Sequence, residues 1–72
     1  MKIIMENSEI WQKAIQGAGS QSEIARACGV TRQAIHIYSK KGRPVPARWV
    51  LKIEAVSGLS RHEQRPDVFG DG

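Results

Sequence analysis

Apolar residues in this chain recur at three- and four-residue intervals and are punctuated by glycines, a pattern that predicts several short amphipathic helices. Ile10, Trp11, Ala14, Ile15 and Ala18 share one face of a helix over about residues 8–17, which Gly17 and Gly19 end. Ser20 and Glu23 form S-x-x-E, a capping box that starts a second helix at Gln21, and Gly29 stops it. Thr31 is placed to cap a third helix over about residues 32–40, with its hydroxyl on a free amide, and Gly42 ends that helix. Pro44 and Pro46 stiffen a connector. Pro46 suits the first turn of a fourth helix running to about residue 57, where a missing N–H costs nothing, and Gly58 closes it. A second capping box, Ser60 with Glu63, opens a short helical turn that ends by Arg65, because the residue before Pro66 is pushed towards an extended backbone. The prediction is an all-α bundle of four to five short helices.

Within it, the stretch QSEIARACGVTRQAIHIY, residues 21–38, has the order of a helix-turn-helix. Ala25 puts only a methyl group where the two helices must approach, and Gly29 can take the left-handed conformation that the tight turn requires. Ile24, Cys28, Val30, Ile35 and Tyr38 supply apolar contacts beneath the pair. If Ile35 faces the core, then Thr31, Arg32, Gln33 and His36 stand on the outer face of the second helix of the motif. Their chemistry suits base edges in the major groove of DNA. An arginine fork matches guanine O6 and N7, and a glutamine amide matches adenine N6 and N7. His36 suits a base or a phosphate, and Ile37, at the margin of the same face, suits a thymine methyl. Ser39, Lys40, Lys41 and Arg43 follow in a position fitted to phosphates rather than bases. Gln21 and Ser22, at the start of the second helix, add side chains and free helix-end amides where the helix dipole favours an anion.

Charge supports this placement. The chain has 72 residues and a formal net charge of +4, an amount that suits nucleic acid or any anionic surface. Its distribution separates them: residues 20–48 hold six basic side chains against one acidic, while the remainder holds five basic against six acidic. With 40% hydrophobic and 25% charged residues, the length predicts one compact domain over residues 1–72, with loose ends at 1–5 and 70–72. The lone cysteine, Cys28, cannot close a disulfide within the chain, and the register turns it inward as a small core hydrophobe. A cytoplasmic location is expected, since no signal peptide or membrane-spanning run is present in the sequence. Cys28, His36 and His62 lack the close pair spacing of a zinc site, and no catalytic triad, paired carboxylates or phosphate-binding glycine loop is discernible. No enzyme activity, cofactor or metal is expected.

Two blocks, GSQSEIARACGVTRQAI and VPARWVLKIEAVSGLSRHEQRPDVF, resemble the small Cro-like phage repressors and the YdaS-type antitoxin regulators, over about residues 10–69. Tyr38 stands where that family usually has tryptophan, and Trp49 where it usually has a polar residue. The resemblance implies a five-helix lambda-repressor-like fold, operator binding in duplex DNA and transcriptional repression by a phage or prophage regulator. The alternative is an antitoxin that neutralises a toxin protein and regulates its own operon. An operator-binding module of this kind usually works as a homodimer on a near-palindrome, with half-site centres one DNA turn, about 34 Å, apart. On the fourth helix Val45, Trp49, Val50, Ile53 and Val56 make one apolar face, and Leu51 and Ala55 lie on another side. Trp49, Leu51, Val68 and Phe69 are the candidate dimer contacts.

Overall fold

A computed structural model describes residues 6–70, and all its secondary structure is helical. Helix α1 spans Asn7–Ala18, α2 Gln21–Cys28, α3 Arg32–Lys41 and α4 Ala47–Ser57, followed by two single turns, α5 Arg61–Gln64 and α6 Pro66–Phe69. The fold is thus an all-α helix-turn-helix bundle, with one more helical turn than the four to five expected. Pro66 makes the difference: it occupies the first turn of α6, where its fixed φ and missing N–H suit a helix start. Arg65, with φ −141° and ψ 73°, is non-helical between α5 and α6, as a pre-proline residue should be. The expected loose ends at 1–5 and 71–72 lie outside the described residues. Gly70 is described, and its N–H bonds the carbonyl of Pro66.

Local signals set most boundaries. The hydroxyls of Ser20, Thr31 and Ser60 accept from the amides of Glu23, Ala34 and Glu63 at 3.3, 3.2 and 3.1 Å. The two capping boxes are half built. Glu23 turns its carboxylate to Arg26 at 3.3 Å, and Glu54 reaches from α4 to accept from the Arg61 amide at 2.8 Å. Gly29 is left-handed at φ 72°, which makes the sharp turn between α2 and α3.

Gly17 corrects the expectation that it ends α1, because it lies inside the helix. A Cβ there would overlap the carbonyl oxygen of Ser57 and sit 3.1 Å from the Ser57 carbonyl carbon, so glycine lets the end of α4 lie against α1. Helix α4 packs across both α1 and α2, and α3 lies against α2. The core between them comprises Ile10, Trp11, Ala14, Ile24, Ala25, Cys28, Ile35, Val45, Trp49, Val50, Ile53 and Leu59. Burying each large aliphatic of this set contributes about 1.5–3 kcal/mol.

Three polar side chains tie the later segments to that core. The Trp11 indole N–H donates to the carbonyl of Arg43 at 2.7 Å, and Arg65 Nη1 donates to the carbonyl of Val45 at 2.8 Å. Both ends of the connector between α3 and α4 are held in this way. Gln64, 1% exposed, donates its amide to the carbonyls of Val50 and Leu59 at 3.1 and 2.8 Å. Arg65 also forks onto Asp67, and that hydrogen bond holds the Asp67 carboxyl below its usual range.

Candidate nucleic-acid interface

The orientation of α3 follows from Ile35. Its side chain is fully buried, while Arg32, Gln33 and His36 are all exposed. These three line one open depression of about 380 Å³. Thr31 is exposed at the N-cap, although its hydroxyl already accepts from Ala34, and Ile37 is 40% exposed beside them. All five expected base-reading residues therefore lie on the solvent side of α3.

Gln21, half-buried at the start of α2, sets its Nε2 3.5 Å from Nδ1 of His36, which brings the second and third helices together at this surface. Ser22 is exposed in the first turn of α2. At the other end of α3, Lys40, Lys41 and Arg43 are exposed and Ser39 is half-buried. The Arg43 guanidinium carbon lies 6.0 Å from the centre of the Tyr38 ring, and Tyr38 packs on Trp49 with ring centres 5.0 Å apart. Lys40 and Lys41 belong to the last turn of α3, and the connector that follows is anchored through its backbone and leaves the Arg43 charge outside.

The four candidate dimer contacts separate. Leu51 and Val68 are 52% and 49% exposed, and Phe69 is half-buried against the core. Trp49 is 5% exposed and belongs to the core itself, so it has little surface to give a second chain. The reason is its neighbours: Tyr38 covers one side of its ring, and Arg48 lies over it with its guanidinium carbon 5.3 Å from the ring centre. Cys28 is buried as expected, and burial pushes its thiol pKa up, against a weaker opposing pull from Lys52. A thiol so placed is a poor nucleophile.

Two polar residues escaped the sequence reading. Gln64 is buried where a surface side chain would be expected, and no periodic signal marks it. Arg48 joins the surface next to Arg43; the capping pattern of α4 places it in the first turn but does not say that it lies on a tryptophan.

The bundle and its basic, outward-facing α3 define a small helix-turn-helix protein. Residues 11–72 match the family model described as "Bacterial toxin YdaS", and the chain belongs to that family. It is similar to the "Gene 30 protein" of Enterobacteria phage phi80, at 41% identity over 59 residues covering 81% of each chain. No solved structure matches it. No helix among the described residues is long and apolar enough to cross a membrane.

Proposed function

We propose that residues 1–72 act as one DNA-binding unit, a Cro-type transcriptional repressor that lays α3 in the major groove of a near-palindromic operator. The observation that carries this is the burial of Ile35 together with the exposure of Arg32, Gln33 and His36 around one depression. Arg32 and Gln33 select bases, with His36, Ile37 and Thr31 beside them. Gln21, Ser22, Ser39, Lys40, Lys41 and Arg43 meet phosphates. A homodimer joined through Leu51 and Val68 supplies two half-sites. No catalytic step, cofactor or metal enters this reading.

Selection of bound duplexes from random sequence tests it, followed by titration of variants on the selected duplex and on a mixed-sequence duplex. Gln33→Ala is expected to lose roughly 1–3 kcal/mol on the selected duplex alone. An equal loss on both duplexes would show that Gln33 meets only the backbone. Lys41→Ala is expected to weaken both and to lower the magnitude of the salt slope by about one. Affinity that ignores salt would remove the phosphate role of the connector.

A second reading starts from the family description, which names a toxin and so supports a toxin–antitoxin setting without assigning this chain the antitoxin part. In it the chain belongs to a toxin–antitoxin pair and binds a protein through its exposed apolar residues, as the antitoxin that also regulates its own promoter. A stable complex with a co-expressed neighbouring gene product, lost in Leu51→Glu, would support it.

A further inference from the structure

Four side chains at the junction of α3 and α4 form a ladder. Arg43 lies over Tyr38, Tyr38 packs on Trp49 with the rings tilted by 54°, and Arg48 lies over Trp49. The ladder gathers the last turn of α3, the connector and the first turn of α4, and both of its ends are exposed guanidiniums. Among the described residues the ion pairs belong to Arg26, Arg61 and Arg65, while Arg43 and Arg48 face aromatic rings.

A guanidinium uses different parts of itself for these two tasks. Its face meets the ring, and its edge keeps N–H donors in a planar fork that matches a phosphate. Arg43 and Arg48, with guanidinium carbons 6.0 and 5.3 Å from the ring centres of Tyr38 and Trp49, can thus be oriented by the rings while their N–H donors stay available. The start of α4 has no side-chain cap, so the positive end of its dipole adds to the same charge. When a reading helix enters the groove by its N-terminal half, its C-terminal end lies along the sugar-phosphate backbone. The ladder occupies that end.

We propose that Arg48 joins Arg43 in a phosphate-binding clamp that grips the DNA strand beside the C-terminal end of α3, with Tyr38 and Trp49 as positioning residues. The clamp rests on the DNA-binding reading above and adds to it a contact from α4. It is independent of sequence. Arg48 contributes to affinity on every duplex and to selectivity on none.

The test is a salt series on a mixed-sequence duplex two helical turns long, repeated on the selected duplex. Arg48→Ala is expected to lower the magnitude of the log–log salt slope by about one and to weaken mixed and selected duplexes equally. Its melting temperature should stay within a few degrees of wild type, because the side chain is exposed. Arg48→Lys keeps the charge and the slope but, having no planar fork to lay on the ring, does not recover the wild-type affinity. Trp49→Phe, which keeps a ring under Arg48, should retain affinity, and Trp49→Leu should fall to the level of Arg48→Lys. If Arg48→Ala binds with unchanged slope and affinity while Lys41→Ala flattens the slope, Arg48 only covers Trp49; the clamp is overturned and the DNA-binding reading stands. If wild type binds neither duplex, both are overturned.

Discussion

Trp11→Ala is expected to lower the thermal midpoint of the protein by more than any other single truncation in the core. Trp11 is 0% exposed, packs edge-on against Tyr38 with ring centres 6.1 Å apart, and donates to the Arg43 carbonyl. Truncating a buried tryptophan costs about 3–5 kcal/mol, before counting the carbonyl left without its donor. A chain of 72 residues has roughly 4–11 kcal/mol of total stability at typical values per residue. The substitution therefore removes from about a quarter of that stability to all of it. Thermal unfolding followed by far-UV circular dichroism should show a midpoint lowered by more than about 12 °C, at roughly 4–8 °C per kcal/mol for a domain of this size. Trp11→Phe keeps a ring and loses the N–H, so it should lie between the two. A midpoint for Trp11→Ala within a few degrees of wild type would mean that the core tolerates the loss, contrary to its packing.

Gly17→Ala is expected to destabilise the protein even though alanine is the better helix former. In an open helix the exchange would gain about 1 kcal/mol. Here the new methyl group meets the Ser57 carbonyl oxygen and lies 3.1 and 3.2 Å from the Ser57 carbonyl carbon and Cβ. Backbone at the end of a packed helix cannot swing aside like a side-chain tip, so α1 and α4 must separate. Overpacking of this kind typically costs about 1–3 kcal/mol, which offsets the propensity gain and in most of that range exceeds it. Gln16→Ala, at the exposed neighbouring position, reports propensity alone and should change stability by less than about 0.5 kcal/mol. A higher melting temperature for Gly17→Ala would show that the two helices have room to spare.

The same residue shows where the sequence stops being legible. Ser20, Thr31 and Ser60 are local signals, a hydroxyl three residues from the amide it caps, and the hydrogen bonds are where that spacing puts them. Ile35 is also readable, since its register decides which side of α3 faces in. Gly17 is different. A glycine near a helix end reads as a stop, whereas its reason lies 40 residues away in the chain, at Ser57. Trp49 is ambiguous for a related cause: the apolar pattern of α4 offers two faces, and only the ring of Tyr38 and the guanidinium of Arg48 decide that tryptophan is inside and Leu51 outside. Pro66 carries two messages, ending one turn and starting another, and only the first is apparent without the fold. Gln64 has no signature at all, because an amide is buried only when two carbonyls happen to face it, here those of Val50 and Leu59.

The two carbonyl tethers on the connector, one from Trp11 and one from Arg65, affect when the chain incurs its ordering cost. Fixing a backbone residue costs about 1–2 kcal/mol, and a loose basic loop would incur that cost each time it met an anion. In this protein the carbonyls of Arg43 and Val45 are both hydrogen-bonded in the folded bundle. If the chain binds DNA as proposed, Arg43 then meets a phosphate from a connector that is already ordered, with little of its attraction spent on fixing the backbone that carries it.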